Sequence, residues 1–272
     1  AQAAPALAAP GSALPFGDFW AYAMPYAFGT VWSAFLAMLV AVPVSIGIAL
    51  FISHYAPRRL ATVIGYVMDL LAAVPSVVFG LWGINTLAVT LQPAYAWLNA
   101  TFGDAPVLGL FFGGTASGTG RTILTASAVL AIMVLPIITS LCREVFLQTP
   151  RLHEEASLAL GATKWEMIRQ AVLPFGRSGI VSACMLGLGR ALGETMAVAM
   201  VLSPANVISL LLLTSTNPNT IAANIALNFP EAFGLGQNQL IATGLVLFVI
   251  TLAVNMLARA ILRRRAEFSG AD

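Results

Sequence analysis

Charged residues are scarce in this chain. Asp, Glu, Lys and Arg make up 9% of its 272 residues, whereas about 25% of the residues of a soluble domain are charged. Hydrophobic residues make up 59%. A chain of this composition cannot cover a water-soluble globule with polar surface, so we expect a lipid bilayer to be most of its surroundings. The net charge of +2 gives no reason to expect a nucleic-acid partner.

Histidine and cysteine are few as well, with two residues each. Cys142 and Cys184 lie in apolar runs without metal-ligand spacing, so we expect unpaired residues of the core. His153 begins a pattern found in zinc proteases, but Ser157 stands where that pattern needs its second histidine. A Walker motif is absent from the sequence. We therefore predict that this chain binds neither a metal ion nor a nucleotide and is not itself an enzyme.

Long apolar segments dominate what remains. Residues 1–15 lack the basic and apolar regions of a signal peptide and are expected to form a tail. A membrane-spanning helix needs about 20 mostly apolar residues, and we expect the second segment that qualifies to be broken or tilted near Pro75. Five segments qualify: Tyr26–Ser53, Leu60–Leu91, Arg121–Leu147, Gly179–Leu202 and Leu240–Leu262. The predicted class is an all-α, polytopic transmembrane protein.

The positions of the basic residues predict the topology, because loops rich in Lys and Arg stay in the cytoplasm. If the chain crosses the membrane at each span, these residues share one face, and the loops at about 92–120 and 203–238 lie outside. The basic positions are Arg58 and Arg59, then Arg143, Arg151, Lys164, Arg169 and Arg177, and finally Arg259, Arg263, Arg264 and Arg265. Five spans with a cytoplasmic carboxyl terminus place the amino terminus outside. Since an even number of spans is more usual, we expect a sixth helix upstream of residue 1.

This topology divides the chain into three parts. We predict an external tail and approach segment at residues 1–25, a transmembrane domain at 26–265 and a cytoplasmic tail at 266–272. Residues 149–176 lie within the transmembrane domain and are expected to form a cytoplasmic hairpin.

Helix start and stop signals in the sequence predict how that hairpin folds. Thr149 is expected to cap a helix whose first residue is Pro150, and Gly161 is expected to end it. Thr163, with Glu166 three residues later, has the pattern of a capping box and predicts the start of a second helix.

We expect Pro174 to end the second helix, so that two short helices meet at an elbow. Small side chains would let a soluble protein approach closely, and Trp165 and Met167 could anchor in a groove on that partner. These small residues are Ala156, Ser157, Ala159 and Ala162. The alternative is an interfacial loop that lies on the lipid headgroups.

The fourth span carries two charged residues, Arg190 and Glu194, at a spacing that predicts one helical face. A charge at the bilayer centre costs about 2.5–3.5 kcal/mol even on the lenient insertion scale. Gly187, Gly189 and Gly193 would allow another helix to approach. We interpret this face as part of a polar pathway or of an interface with another transmembrane subunit, with Arg190 suited to an oxyanion. A purely structural ion pair is the alternative.

Residues of the hairpin resemble the signature loop of the transmembrane permeases of ABC importers. The match lies at Glu155, Ala156, Gly161, Leu173 and Pro174, with mild departures at Ser157 and Ala171. The resemblance implies that the loop is a coupling helix that sits in a cleft on a cytoplasmic ATPase. The coupling residues that we assign are Glu155, Ala156, Gly161, Lys164, Trp165, Leu173 and Pro174.

Three further stretches narrow the resemblance to phosphate-specific ABC permeases, the PstC type. They are Gly189–Val198, Val74–Gly80 and Ala159–Arg169, and the similarity runs from about Phe16 to Arg265. It implies a type I importer permease of six spans, the first of which precedes an external segment. It also implies a related permease as a partner, a cytoplasmic ATPase dimer that holds ATP and magnesium, an external phosphate-binding protein and a bacterial plasma membrane.

The substrate pathway is assigned to four residues: Arg190, Glu194, Thr195 and Ser76. Other functions stay open. The transported oxyanion could be molybdate or sulfate, or the chain could be a secondary transporter, which would not need a hairpin that docks an ATPase. An intramembrane hydrolase is disfavoured because His54 and His153 both lie at predicted span ends, away from membrane depth.

Overall fold

The computed structural model describes residues 16–266, and these are mostly helical. The predicted tails at 1–15 and 267–272 lie outside the described residues. The α-helices are α1 Phe16–Leu50, α2 Arg58–Ala73, α3 Ser76–Trp82, α4 Ala88–Phe102, α5 Gly109–Phe112, α6 Ile123–Leu147, α7 Arg151–Ala159, α8 Lys164–Met167, α9 Leu173–Gly193, α10 Met196–Val201, α11 Ile221–Asn228 and α12 Leu235–Ala266. The all-α class is confirmed.

Short elements of other types connect these helices. Two strands, β1 Pro204–Ala205 and β2 Asn217–Pro218, pair in parallel, with Pro204 opposite Asn217. Three wide π-helical turns and one 3₁₀ turn occur as well: Phe51–Tyr55, Gly83–Leu87 and Ile168–Val172, and Phe229–Glu231. Two of the π turns join neighbouring α-helices without ending them, so α3 continues into α4 and α8 into α9. Phe51–Tyr55 instead extends α1 as far as the extended residue Ala56.

Among the described residues, five continuous helices are long and apolar enough to cross a membrane, as predicted. They are Asp18–Tyr55, Ser76–Phe102, Ile123–Leu147, Lys164–Gly193 and Leu235–Ala260. The second begins later than expected, because the chain is extended at Val74 and Pro75, where a proline disfavours helical geometry in the residue before it. The break near Pro75 is thus confirmed, and α2 is a separate helix.

The fourth spanning helix differs from the prediction at both ends. Pro174 does not end a short hairpin helix, because the π turn Ile168–Val172 just before it carries the helix from Lys164 onward. A prolyl nitrogen has no hydrogen to donate, and a wide turn changes the backbone hydrogen bonding where that donor is missing. At its other end the helix stops at Gly193, well before the predicted Leu202.

The chain divides into two compact units. The first consists of the described part of Ala1–Ala37 with Pro75–Ala131 and Ala191–Ala253. Its core includes Tyr22 and Ile221, and the side-chain amide of Asn224 donates a hydrogen bond to the Tyr22 hydroxyl at 2.8 Å. These contacts pack α11 against the first part of α1.

The second unit consists of Met38–Val74, Ile132–Arg190 and the described part of Val254–Asp272. Here α6 packs closely on α9, since a Cβ on Gly187 would lie 2.7 Å from Val134 Cγ1 and 2.8 Å from Ile138 Cδ1. The Ser45 hydroxyl of α1 donates to the Leu135 carbonyl at 3.1 Å. Gly187 therefore allows a close approach between helices, as predicted.

Candidate functional site

Helical hydrogen bonding is interrupted at Glu194 and Thr195, between α9 and α10. A four-residue spacing aligns two side chains only within a continuous helix. The prediction that Arg190 and Glu194 share one helical face is therefore wrong. The two residues belong to different local structures, and each has its own surroundings.

Glu194 stabilises the start of α10 through a side-chain hydrogen bond. Its side chain is buried, with 8% of its surface exposed. Its Oε1 atom accepts a hydrogen bond from the backbone N–H of Ala197 at 3.1 Å. The first N–H groups of a helix have no partner within that helix, so the carboxylate satisfies a donor that would otherwise be buried and unpaired. Thr195 is half-buried, and its hydroxyl donates to the Gly193 carbonyl at 3.2 Å.

Arg121 holds the opposite end of α10. Its guanidinium donates to the backbone carbonyls of Met200 at 3.2 Å, Val201 at 3.4 Å and Leu202 at 2.8 Å. A cation at the carboxyl end of a helix also interacts favourably with the helix dipole. In the sequence analysis, Arg121 is only the first residue of a predicted span. The contact joins residues about 80 positions apart, and no local pattern signals it.

The break at Pro75 places a second helix start beside that of α10. A Cβ on Gly80 would lie 3.0 Å from the Ala197 Cα atom, and one on Gly83 would lie 3.1 Å from Val201 Cγ2. The contacts advance in the same direction along both helices, so α3 and α10 are parallel. Because glycine lets their backbones approach closely, their amino-terminal ends lie at the same end of the pair.

This shared end carries three of the predicted pathway residues, Ser76, Glu194 and Thr195, and suits an anion. Ser76, half-buried, is the first residue of the 27-residue helix Ser76–Phe102. The amino terminus of such a helix carries a partial positive charge of about half an elementary unit. The Glu194 carboxylate supplies a negative group at the start of the neighbouring α10.

Arg190 lies on an exposed face of α9 in the second unit. A Cβ on Gly189 or Gly193 would meet no other atom within 4 Å, so these two glycines leave open space. Within residues 16–266, the structure shows no hydrogen bond or ion pair made by the Arg190 guanidinium. This arginine is therefore available to a ligand or to another subunit.

The hairpin forms the second candidate site. Gly161 adopts φ +87°, and its N–H donates to the Leu158 carbonyl at 3.0 Å while that of Ala162 donates to the Ser157 carbonyl at 3.3 Å. This is a Schellman motif, which confirms that Gly161 ends the first hairpin helix. The capping box is confirmed too: Thr163 accepts from the Glu166 backbone N–H, and its own N–H donates to the Glu166 carboxylate at 2.7 Å.

Two details of the predicted hairpin are wrong. Thr149 does not cap α7: Pro150 is the N-cap residue, and the Thr149 hydroxyl is buried without a hydrogen-bond partner. Met167 is not available to a partner's groove, because only 3% of its surface is exposed. It faces inward at the start of the helix that enters the membrane. Trp165, by contrast, is 56% exposed.

Most of the assigned coupling residues lie at the surface of the hairpin. Leu173 is half-buried, and the rest are exposed: Glu155, Ala156, Gly161, Lys164, Trp165 and Pro174. Large apolar side chains accompany them, among which Leu152 is 78% and Leu160 91% exposed. An exposed apolar patch of this kind is typical of a protein–protein contact.

The end of the first spanning helix contacts this hairpin. His54 Nε2 lies 3.4 Å from Glu154 Oε1, and His54 Nδ1 lies 2.7 Å from the Ser53 hydroxyl. The Lys164 ammonium lies 4.9 Å from the centre of the Tyr55 ring, a cation–π contact. Both contacts link the hairpin to the helix that precedes α2. Neither was expected from the sequence, which placed His54 only at the level of the headgroups.

Comparison with known proteins identifies the family. Residues 41–267 match the family described as "Binding-protein-dependent transport system inner membrane component". The chain belongs to this family. It is thus a multi-pass permease component of a transport system and not itself the catalytic subunit.

Curated relatives of the permease are named as permeases of phosphate transport systems. It is 52% identical over 236 residues to the "Phosphate transport system permease protein PstC 2" of Mycobacterium bovis, which covers 85% of this chain and 71% of the relative. It is 46% identical over 244 residues to the "Phosphate transport system permease protein PstC" of Xylella fastidiosa, covering 89% of this chain and 74% of that relative.

Solved structures share the fold of the permease. A methionine transporter structure, "Inward facing conformations of the MetNI methionine ABC transporter", superposes with a TM-score of 0.57 at 16% identity over 91% of this chain and 99% of that chain. An amino acid ABC transporter crystallised with histidines gives a TM-score of 0.56 at 17% identity over 93% and 100%. At these identities the likeness establishes the fold alone.

Proposed function

We propose that this chain is the transmembrane subunit of an ATP-driven phosphate importer. It forms the translocation pathway together with a second, related permease. A cytoplasmic ATPase dimer and an external phosphate-binding protein complete the complex. The observation that carries the proposal is the 52% identity, over 85% of the chain, to a permease named for phosphate transport.

Within that complex, the helix breaks at Pro75 and Glu194 form part of the translocation pathway. A phosphate ion needs hydrogen-bond donors and positive charge at membrane depth, and helix starts supply both. The Glu194 carboxylate accepts the Ala197 N–H bond. The Ser76 hydroxyl adds a donor, and the Thr195 hydroxyl adds one when it gives up its bond to the Gly193 carbonyl. Arg190 contributes a planar guanidinium that fits two phosphate oxygens. Glu194 then competes with phosphate for donors, so that the ion is not held too tightly to leave.

The hairpin couples this pathway to ATP hydrolysis. Its exposed residues, with the Gly161 elbow between two helices, present a compact surface to the ATPases. The surrounding basic residues favour a cytoplasmic position for it. The contacts of His54 with Glu154 and of Lys164 with Tyr55 transmit a movement of the docked hairpin to the first spanning helix.

The proposal is tested with the complete complex in proteoliposomes, by measuring phosphate uptake and ATP hydrolysis on the same preparation. The variant is Arg190→Gln/Glu194→Gln, in which the amide oxygen of the glutamine that replaces Glu194 can still accept the Ala197 N–H bond. It should assemble and hydrolyse ATP, while uptake falls about tenfold or more, as expected for the loss of charge-assisted hydrogen bonds.

Arg177→Gln is the matched control, because Arg177 is an exposed arginine on the same helix α9. This variant should transport normally. Near-normal uptake by the double variant would refute the pathway role of Arg190 and Glu194. Uptake of sulfate or molybdate by the wild-type complex, with no transport of phosphate, would replace phosphate by another oxyanion.

A further inference from the structure

A cavity of about 630 Å³ lies within the second unit, between α9 and α12. From α9 it is lined by Ser182, Gly189 and Arg190, and from α12 by Asn255 and Arg259. Ser182 and Arg190 are eight residues apart, which is about 12 Å along a helix, so the cavity extends over at least two helical turns. It therefore reaches well beyond the immediate surroundings of Arg190.

Among the residues that the structure describes, the charges that line this cavity have one sign: two arginines are present, and aspartate and glutamate are absent from the lining. Both arginine side chains are exposed. In the same part of the chain, neither guanidinium makes a hydrogen bond or an ion pair. A cation would be repelled here, whereas an anion would be attracted to the two guanidinium groups.

An uncharged polar group fits an oxyanion as well. Asn255 lies four residues before Arg259, so the two share one face of α12. The asparagine amide donates hydrogen bonds, and two guanidinium groups supply planar pairs of donors, whereas the Ser182 hydroxyl already donates to the Ser178 carbonyl at 2.9 Å. Together these groups can surround a tetrahedral anion with donors from two helices.

We propose that this cavity is a second oxyanion-binding site and that Arg259 and Asn255 bind phosphate there. The proposal rests on the proposed phosphate-import function and extends it to a site on α12. Arg190 lines the cavity and is also assigned to the pathway, so the two sites share this residue. The same phosphate chemistry is found in the headgroup of an anionic lipid, and the experiment separates the two sources.

The test uses the complete complex in proteoliposomes and measures uptake of radiolabelled inorganic phosphate. Arg259→Gln should lower uptake about tenfold, because a charge-assisted hydrogen bond is lost, while ATP hydrolysis continues. Arg259→Lys keeps the charge but loses the planar fork and should restore part of the uptake. Equilibrium binding of phosphate to the purified complex should weaken in the same order.

A second variant fills the cavity without touching a charge. Gly189→Leu should block uptake, since a side chain at this position meets no protein atom within 4 Å of its Cβ and can extend into the cavity. Gly189→Ala adds a single methyl group and should lower uptake less than Gly189→Leu does. Co-elution of all subunits checks that each variant assembles.

Three results would decide against the proposal. If wild type imports phosphate, and Arg259→Gln and Gly189→Leu import it equally well, the second site is refuted while the import function stands. If wild type itself imports no phosphate, the import function fails. If wild type needs phosphatidylglycerol instead of phosphatidylcholine vesicles, and Arg259→Gln removes that dependence with phosphate binding unchanged, the cavity binds a lipid headgroup and the transport site is refuted.

Discussion

Replacement of Gly161 by valine tests the coupling role of the hairpin. Gly161 has φ +87°, a left-handed conformation that costs an L-residue about 1–2 kcal/mol and is least tolerated by a β-branched one. A Cβ here would meet no atom within 4 Å, so the cost comes from the backbone and not from a clash. A penalty of that size lowers the population of the native elbow about 5- to 30-fold relative to other conformations.

The assay is the number of ATP molecules hydrolysed per phosphate transported by the complete complex. Gly161→Val should raise this ratio, because the ATPases still turn over but the hairpin no longer holds the geometry that transmits their motion. Gly161→Asn is the matched control, since asparagine tolerates the left-handed region. Membrane insertion should be normal in both variants. A valine variant with the wild-type ratio would show that the elbow geometry is not needed for coupling.

Three other predictions follow from the structure. In a background without the native cysteines, Gly118→Cys should react with an impermeant thiol reagent added from outside and Ala162→Cys should not; the reverse pattern would overturn the topology. Arg121→Gln should lower the unfolding temperature of the complex and Arg121→Lys should restore part of it, because charged hydrogen bonds contribute about 1.5–3 kcal/mol; an unchanged temperature would contradict the role of this arginine in holding α10. His54→Ala and Glu154→Ala should each raise the ATP-to-phosphate ratio, and the double variant should be no worse than either single one; fully additive effects would contradict a direct interaction.

Local signals in the sequence were sufficient to predict the spans and the hairpin elbow. A run of about 20 apolar residues is long enough to cross a bilayer and therefore predicts a spanning helix. Gly161 and the Thr163–Glu166 pair act over three or four residues and form the expected caps. The Thr149 prediction failed because the pattern preceding Pro150 does not reveal that the threonine hydroxyl is buried.

The break at Glu194 could not be predicted in the same way. Residues 187–202 read as a continuous apolar helix with two charges, and neither proline nor an extended polar run marks an interruption. What stabilises the break is the Glu194 bond to Ala197 together with the Arg121 bonds at the far end of α10. The second of these depends on tertiary packing. The cavity beside Arg259 likewise depends on how α12 lies against α9.

The unbroken helix from Lys164 to Gly193 has a mechanical consequence. Its 30 residues correspond to a length of about 45 Å, so each degree of tilt at the hairpin end displaces the other end by about 0.8 Å. We propose that this helix transmits motion from the hairpin surface, where an ATPase is proposed to dock, to the end of α9 next to Glu194. A rotation of about five degrees would move that end by about 4 Å, roughly the width of the anion it is proposed to release.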